Sequence, residues 1–583
     1  MTAHGLRTKG LRTKVRKKAQ AMTAEATTTS PLKNMALNAD RMFVFITLAI
    51  PVIGLVLFFV YPLFIVFLRS ITEADGGLGM GNYVSVLGSK GFWRATGHSM
   101  EMGLSTTAIS IFLGFIIAHA LHRCHFRGKN IIRAAIALPL LAPSLVQGLG
   151  LIFLLGRNGI LNKWLDMGLD IYGFWGLLIA NIFYALPQAV MIIGATLTLS
   201  DARTYEAAEV MGARPIRQFW DITLPNSKFG VMSAAFVVFT VTITDFGNAA
   251  VIGGDYSVLA TEIYSQVIGQ MNFNMGAVVG IMLLLPTVAS YYIERFAQKR
   301  QFGSHAENAI PFVPTFSPAR DIPMASISFL VAALISSVII VVVYASFVKL
   351  WPYNFEMTFK HYNITLAGGY EPLLTTIYVS LAAAIGGTLA LFMLGLGIRK
   401  APDFIARIVY FISVMPAAVP GMVIGLAYIL TFNSTATPLY LLYGTAALLA
   451  LCNFYHFHTQ GFLTAMTGFR QVPSALEEAA SCLGSGMMRV AVDVIAPYVM
   501  PMLISIFFFL FMRSMVTLSA VVFLTTPKVT VAAVTIMRLD DAGLTSQAAA
   551  YSTCVMLIVG GALLGMKYML RTLNKHTDNK AAP

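Results

Sequence analysis

Long apolar stretches separated by short polar segments fill the chain from residue 42 onward. A helix that crosses a membrane needs about 20 predominantly apolar residues. Two of the stretches, the fourth and the tenth, are interrupted by polar residues. The pattern predicts an all-α membrane protein with about 12 transmembrane helices. They are expected at residues 42–68, 100–122, 131–155, 173–199, 228–251, 276–296, 324–348, 373–398, 404–430, 439–466, 498–523 and 548–570.

The composition of the 583-residue chain agrees with this class. Hydrophobic residues make up 57% and charged residues 11%, whereas soluble domains average about 25% charged residues. The net charge of +14 does not indicate nucleic-acid binding, because most basic residues flank apolar stretches. Contact with membrane lipid is therefore expected, and contact with nucleic acid is not. The basic residues 1–41 precede an apolar stretch too long for a signal peptide and are expected to form a cytoplasmic tail.

The basic residues also predict how the chain is oriented, since Lys and Arg accumulate in cytoplasmic loops. With the N-terminus placed in the cytoplasm, the segments on that side hold 30 Lys and Arg residues, and the segments on the other side hold 9. This excess favours a multi-pass protein with both termini, including a tail at residues 571–583, in the cytoplasm.

Motifs in the first half of the chain recur in the second half at a constant offset in residue number, 272 (478 − 206), which we call the repeat offset. Such a fixed spacing indicates an internal duplication. Six predicted spans separate equivalent points, so the copies form two parallel six-helix repeats around an axis along the membrane normal. The repeats are expected at residues 42–296 and 324–570, joined by a polar cytoplasmic linker at 297–323. The pairs at the repeat offset are Asn181 and Asn453, Gln188 and Gln460, Glu206 and Glu478, Gly212 and Gly484, and Pro225 and Pro497.

The most distinctive repeated segment, "EAAEVMGARPIRQFWDITLP" at residues 206–225, is predicted to contain two short helices. Asp201 suits the N-cap of the first helix, and Gly212 can end it in a left-handed conformation. Pro215 suits the first turn of the second helix, and Pro225 is expected to stop that helix before the next span. Because the segment occurs twice at equivalent places, it predicts a docking site for a partner with twofold symmetry.

The "EAA", glycine and "ITLP" pattern of this segment resembles the EAA loop of type I ABC importer permeases, the inner-membrane components of binding-protein-dependent transport systems. The resemblance implies two EAA loops, at residues 201–225 and 473–497, which dock on two cytoplasmic ABC ATPase subunits. It also implies a periplasmic substrate-binding protein and a location in the bacterial inner membrane. The second loop departs from the pattern at Ser481 and Cys482. The residues that the resemblance assigns to ATPase coupling are Glu206, Ala207, Ala208, Gly212, Glu478, Ala479, Ala480 and Gly484.

Two permease domains fused in one chain resemble the importers of 2-aminoethylphosphonate and of ferric iron. Residues 244–286, followed by "ERFAQKRQ", are most similar to the phosphonate group. The resemblance implies a small anionic substrate, either 2-aminoethylphosphonate or a related phosphonate, with ferric iron as the alternative.

No motif in the sequence indicates bond-making chemistry. The chain has no G-x-x-x-x-G-K-[ST] phosphate loop and no H-E-x-x-H zinc motif. We therefore expect no catalytic residues, no metal site and no cofactor, and we expect ATP to be hydrolysed in a separate subunit. A secondary transporter with two parallel six-helix halves is the alternative of another class. It would require ion-coupling carboxylates deep in several spans, and Asp245 is the main one found.

Six polar residues inside predicted spans are candidates for the substrate path. Ionisable residues are costly in a membrane and usually face a cavity or a partner. We expect Asp245 and Arg513 to face the centre and to pair when the path is empty, so that an anionic substrate competes for Arg513. A static ion pair, or a role of Asp245 in ending its helix, is the alternative. The four amides, which either line the path or join helices by hydrogen bonds, are Asn181, Gln188, Asn453 and Gln460.

Overall fold

The computed structural model describes residues 31–581, apart from residues 74, 167, 303–309, 311, 366–367 and 436. The expected tail at 1–41 and the expected linker at 297–323 therefore lie partly outside the described residues. Most of the described chain is helical, and strands β1 (Val348–Leu350) and β2 (Asn354–Met357) pair antiparallel. The helices are α1 (Pro31–Leu55), α2 (Tyr61–Ser70), α3 (Gly81–Gly88), α4 (Lys90–Arg123), α5 (Lys129–Ala137), α6 (Leu145–Leu155), α7 (Ile160–Trp164), α8 (Phe174–Thr198), α9 (Ala202–Val210), α10 (Pro215–Gln218), α11 (Leu224–Ile243), α12 (Gly247–Ile252), α13 (Leu259–Tyr264), α14 (Phe273–Phe302), α15 (Pro318–Ser346), α16 (Glu371–Lys400), α17 (Asp403–Val414), α18 (Gly421–Phe432), α19 (Ala446–Arg470), α20 (Ser474–Cys482), α21 (Met487–Val490), α22 (Ala496–Tyr498), α23 (Met500–Met515), α24 (Ala532–Asp541) and α25 (Thr545–Ala581).

The helices confirm an all-α membrane protein, with fewer clear spans than the sequence predicts. Within the described residues, nine helical segments are long and apolar enough to cross a membrane, and two bent helix pairs raise the number to at most eleven. The fourth predicted span is the unbroken helix α8. The tenth corresponds to α19, which has 25 residues but is not among the sufficiently apolar segments. Its polar middle, "NFYHFHTQ", accounts for the difference.

The third predicted span of each half is broken. In the first half, α5 ends at Ala137 and α6 begins at Leu145. In the second half, helices α17 and α18 meet at an angle of 106°. Prolines in "PLLAP" (139–143) and "PAAVP" (416–420) account for both breaks, because proline lacks an N–H and clashes with the preceding turn. The continuous helices expected at 131–155 and 404–430 are therefore wrong.

The duplication is visible in the helix bounds. Helices α8, α9 and α10 begin and end one repeat offset before α19, α20 and α21, and the π-helical turns Phe219–Thr223 and Ala491–Ile495 follow the same rule. The halves differ at Val499, where the helices on either side form an angle of 76°. Pro501 explains this bend, since its ring excludes the hydrogen bond of a continuous helix and the equivalent residue of the first half is Phe229.

The fifth span corrects two expectations. Helix α10, the π-helical turn and α11 form one continuous segment over residues 215–243. Pro225 does not stop a helix but lies in the first turn of α11, directly after the π-helical turn. Helix α11 ends at Ile243 rather than continuing to residue 251, so Asp245 lies in the break before α12.

The first spanning helix of each half packs against the other half. Helices α1 and α2 contact α16 and α18, and α15 contacts α4, α5 and α6 as well as α25. The Tyr428 hydroxyl donates a hydrogen bond to the Phe58 carbonyl at 2.7 Å. At Gly150 of α6 an added Cβ would lie 2.4 Å from the Val338 carbonyl oxygen of α15. This exchange of helices produces one apolar core that runs through both halves.

Candidate functional site

The first EAA loop has the caps that the sequence predicts. The Asp201 carboxylate accepts a hydrogen bond from the Arg203 backbone N–H at 3.0 Å at the start of α9. Hydrogen bonds from Arg203 lower the pKa of Asp201 to about 2, so this cap is ionised at neutral pH. Gly212 and Gly484 both have a φ of +77°, the left-handed conformation that ends a helix. Pro215 then begins α10.

The second EAA loop is held in a different way. Pro473 takes the place of the N-cap aspartate, so α20 has no side-chain cap. Glu477, whose side chain is 8% exposed, instead binds two basic residues at the end of α16. Its Oε1 lies 2.6 Å from Arg399 Nε, and its Oε2 contacts Lys400 Nζ. Burial raises the pKa of Glu477, but the hydrogen bonds from Lys400 and Arg399 outweigh it, and the pKa is lowered overall.

Both EAA loops expose apolar side chains just beyond their first helix. Met211 is 80% exposed and its equivalent Leu483 is 86% exposed, while Ile216 and Met488 are each 65% exposed. The repeat offset relates these exposed apolar side chains in pairs, Met211 with Leu483 and Ile216 with Met488. Among the residues assigned to coupling from the sequence, Ala208 is buried and Ala480 is half-buried. The exposed ones are Glu206, Ala207, Gly212, Glu478, Ala479 and Gly484.

A cavity of about 370 Å³ lies between the two halves. Equivalent residues line it in pairs, since Tyr184 and Gln188 of α8 are related to His456 and Gln460 of α19 by the repeat offset. The break at residues 416–421 also contributes to its wall. The cavity therefore lies on the pseudo-twofold axis. Its charged lining residues are Asp245, Glu294, Arg295 and Arg513.

Asp245 and Arg513 both line this cavity, but the ion pair that we expected between them is wrong. Both lie among the described residues, and no carboxylate oxygen of one comes within 4.0 Å of a nitrogen of the other. The Asp245 Oδ2 accepts a hydrogen bond from the Asn248 N–H in the first turn of α12 at 3.0 Å. The Arg513 guanidinium lies 5.0 Å from the ring centre of Phe457. The break after α11 explains this, because it offers Asp245 nearby backbone donors.

Asn181 and Asn453 are not among the residues that line the cavity. The Asn181 Oδ1 accepts a hydrogen bond from Asn248 Nδ2 at 3.1 Å. The Asn453 Nδ2 donates to Ser514 Oγ at 2.6 Å. Both residues are buried, and both join neighbouring helices, as the hydrogen-bonding alternative describes.

Sequence reasoning missed several lining residues. Tyr184 and His456 lie one helical turn before the paired glutamines and are themselves separated by the repeat offset, so the repeat could have identified them. Glu294 and Arg295 lie at the end of the sixth predicted span, and Arg295 Nη2 donates to the Tyr410 hydroxyl at 2.7 Å. Among the described residues, no group of three or more His, Cys, Asp or Glu side chains is arranged to hold a metal ion.

A cavity between two repeats of membrane-spanning helices is a common feature of transport proteins. Residues 110–302 match the family described as "binding-protein-dependent transport system inner membrane component". The probable sulfate transport system permease protein cysT of Helicosporidium sp. subsp. Simulium jonesii is 30% identical over 192 residues, which cover 32% of this chain and 71% of that protein. The chain belongs to this family and is a type I ABC importer permease.

Two further relatives carry other substrates in their names. The ferric transport system permease protein FbpB of Actinobacillus pleuropneumoniae is 26% identical over 88% of this chain and 76% of its own length. The putative 2-aminoethylphosphonate transport system permease protein PhnU of Salmonella typhi is 24% identical over 46% of this chain and 96% of its own length. These relatives are transport permeases rather than enzymes, and the secondary-transporter alternative is set aside.

Proposed function

We propose that this permease is the membrane subunit of an ATP-driven importer in which each EAA loop docks on one of two ATPase subunits. The observation that carries the proposal is the pair of exposed apolar tips at Met211 and Leu483. Burial of such a tip in a groove of a partner removes apolar surface from water, and two equivalent tips fit two identical partners. Glu206 and Glu478 are exposed on the same short helices and add a charged contact beside each tip.

We further propose that the face of the EAA loops is cytoplasmic. The distribution of Lys and Arg, 30 against 9, supports this orientation. A periplasmic binding protein then delivers substrate to the opposite face, and both chain termini lie in the cytoplasm.

Movement of the first EAA loop has a direct route to the cavity. Residues 215–243 form one continuous helical segment that starts in the loop and carries the lining residues Val237, Thr240 and Val241. When the ATPase subunits close, this segment tilts as a rod and the halves rock around the pseudo-twofold axis. The cavity is thereby opened to each side of the membrane in turn.

For the substrate we propose 2-aminoethylphosphonate or a related phosphonate. Arg513 lines the cavity, and a guanidinium can donate two parallel hydrogen bonds to phosphonate oxygens. Gln188 and Gln460 offer amide groups in the same cavity, and Asp245 offers a carboxylate to an ammonium group. Ferric iron is the second candidate, because the relative named for ferric transport aligns with 88% of this chain.

The docking proposal is tested by isolating the tagged full-length protein from its native membranes in mild detergent. Mass measurement of the complex should give two ABC ATPase subunits per permease. The double variant Met211→Asp/Leu483→Asp, and separately Glu206→Lys/Glu478→Lys, should lose them, while the control Met211→Leu/Leu483→Met should keep them. A well-folded permease that binds no ABC ATPase would contradict the docking role.

The substrate proposal is tested by growth on 2-aminoethylphosphonate as the only phosphorus source and, separately, under limiting ferric iron. Loss of the permease should abolish the first growth and leave the second unchanged. In uptake assays, Arg513→Met should abolish transport, whereas Arg538→Met, a change at an exposed arginine outside the cavity, should not. Normal uptake by Arg513→Met would remove Arg513 from the path.

A further inference from the structure

The second spanning helix of the second half, α16, carries at its penultimate position an arginine that binds the EAA loop. Arg399 Nε donates a hydrogen bond to Glu477 Oε1 at 2.6 Å. Its Nη1 donates to the Phe469 carbonyl at 2.7 Å and its Nη2 to the Val472 carbonyl at 2.8 Å. One guanidinium therefore ties α16 to the end of α19 and to the loop helix α20.

An arginine at the end of the corresponding helix in the first half makes the same kind of connection with different chemistry, although the repeat offset relates Arg123 to Gly395 rather than to Arg399. Arg123, the last residue of α4, is 3% exposed, and its Nη2 donates to the Leu197 carbonyl at 3.0 Å. The repeat offset relates Leu197 to Phe469, so the two carbonyls are equivalent. The guanidinium carbon of Arg123 lies 4.6 Å from the ring centre of Tyr205 and 4.4 Å from that of Phe312.

The aromatic contacts replace the ion pair of the second half. Tyr205 and Glu477 are also related by the repeat offset, so the same position of the loop helix faces the arginine in both halves. The Nε and Nη1 of Arg123 have no hydrogen-bond acceptor among the described residues. Cation–π attraction is therefore a main interaction of this buried guanidinium. In the second half, the carboxylate of Glu477 takes that role.

Each loop is also held by residues in or just before the first helix of the other half. Phe312 precedes α15, and the neighbouring Ile310 carbonyl accepts a hydrogen bond from the Ala202 N–H at 2.9 Å. At the second loop, the Asp40 carboxylate of α1 accepts from the Met487 N–H at 2.8 Å. The arginines are therefore not the only contacts, among the described residues, that hold the two loops in place.

We propose that Arg123 and Arg399 are positioning residues that fasten each EAA loop to the second spanning helix of its own half, by contacts with two adjacent aromatic rings in the first half and by an ion pair in the second. This inference rests on the proposed coupling role of the loops. Because each guanidinium binds both the loop helix and the end of the preceding span, a loop that an ATPase displaces moves α4 or α16 with it. The contacts of Arg123 and Arg399 therefore transmit the motion of the loops to α4 and α16, which are not continuous with the loops in the chain.

The test is amide hydrogen exchange of the full-length protein in lipid nanodiscs, read separately for residues 202–210 and 474–482. Arg399→Gln should raise exchange in 474–482 about tenfold or more, which corresponds to about 1.4 kcal/mol, and leave 202–210 unchanged. Arg123→Gln should have the reverse effect. Arg399→Lys, which keeps the charge but not the forked geometry, should recover part of the protection. Unchanged exchange in 474–482, or an equal rise in both loops, would overturn the proposal.

Two further measurements keep the test decisive. If Arg399→Gln does not fold, Glu477→Gln removes the same ion pair more mildly and should raise exchange in 474–482 alone. Tyr205→Glu should give Arg123 an ion pair and keep residues 202–210 protected from amide exchange. A loss of that protection would count against the inference that Tyr205 and Glu477 occupy the same position facing the arginine. Failure of the proposed function would look different, because the folded protein would bind no ATPase while the exchange pattern stayed as expected.

Discussion

Substitution of Gly150 by alanine tests how closely the first helix of the second half is seated on the first half. A Cβ at Gly150 would lie 2.4 Å from the Val338 carbonyl oxygen and 2.6 Å from Val338 Cγ1. Real Cβ atoms essentially never come closer than 3.0 Å to another heavy atom. Helices α6 and α15 would therefore have to separate by at least 0.6 Å (3.0 − 2.4). The obstacle includes backbone, so no change of side-chain rotamer can remove it.

The expected loss follows from this separation. An extra carbon forced into a well-packed interior costs about 1–3 kcal/mol, and membrane helices that meet at small residues lose contacts when they move apart. Gly150→Ala should therefore unfold in detergent at a lower temperature than the wild type. The matched controls are Gly386→Ala and Gly561→Ala, which lie in helices with nothing within 4 Å of the added Cβ. Both should be neutral or slightly more stable, since alanine is the better helix former by up to about 1 kcal/mol.

The assay is thermal unfolding followed by the fraction of each variant that still elutes as a monodisperse peak. Midpoints are compared at one detergent and one lipid concentration, so that only the substitution differs. If Gly150→Ala matched the two controls, α6 and α15 would not approach as described, and the reasoning from backbone contact would be refuted.

Two further predictions concern the EAA loops, and a third concerns the bend that follows the second loop. Gly212→Ala and Gly484→Ala should each cost about 1–2 kcal/mol of local stability, because both positions have a φ of +77° and open space around the added Cβ. Amide exchange at the ends of α9 and α20 measures this loss of stability. Gly212→Asn should lose less, because asparagine tolerates the left-handed conformation. The pKa of Glu477 is lowered below its ordinary value of 4.5. The stabilisation that ionised Glu477 gives the second EAA loop is therefore fully present above pH 4.5 and is lost as the pH falls through the lowered pKa. Exchange in 474–482, corrected for its intrinsic rate, should therefore be constant from pH 7 to about pH 5 and rise only in stronger acid, whereas Glu477→Gln should remove this dependence and a rise near pH 6 would contradict it. Pro501→Phe should open the 76° bend at Val499. The distance between spin labels at Met488 and Ser505 should then increase toward the value of roughly 25 Å expected for a straight helix. An unchanged distance would mean that another contact holds the bend.

The sequence predicted the fold well where one local signal decides the structure. Apolar length located most spans, and the repeat offset related the bounds of helices α8 to α10 to those of their counterparts. It failed where a local backbone preference overrides apolar length. The prolines at 139–143 and 416–420 break the third spans although the stretches are long enough to cross a membrane. The tenth predicted span is present as helix α19, but its polar middle keeps it out of the set of sufficiently apolar helices.

The site was predicted less completely, because its contacts join residues that are far apart in sequence. Asp245 and Arg513 both line the cavity, but the expected pairing assumed that α11 continues past Ile243. The helix ends there, and the carboxylate binds the nearby Asn248 N–H instead. The contact of Arg399 with Glu477 spans 78 residues, and nothing in either local segment indicates it. Such pairs follow only from the packing of the helices.

The exchange of first helices between the halves changes what counts as a module of this protein. A recombinant chain joined at residues 297–323 to the second half of another importer would bring a foreign α15 onto the native α6, where Gly150 leaves no room for a mismatched neighbour. A junction after Ser346 would keep α15 with the half that it packs against. The unit that can be exchanged between importers is therefore one half of the chain from which its own first spanning helix is left out and to which the first spanning helix of the other half is added. Its boundary lies one helix beyond the boundary of the sequence repeat.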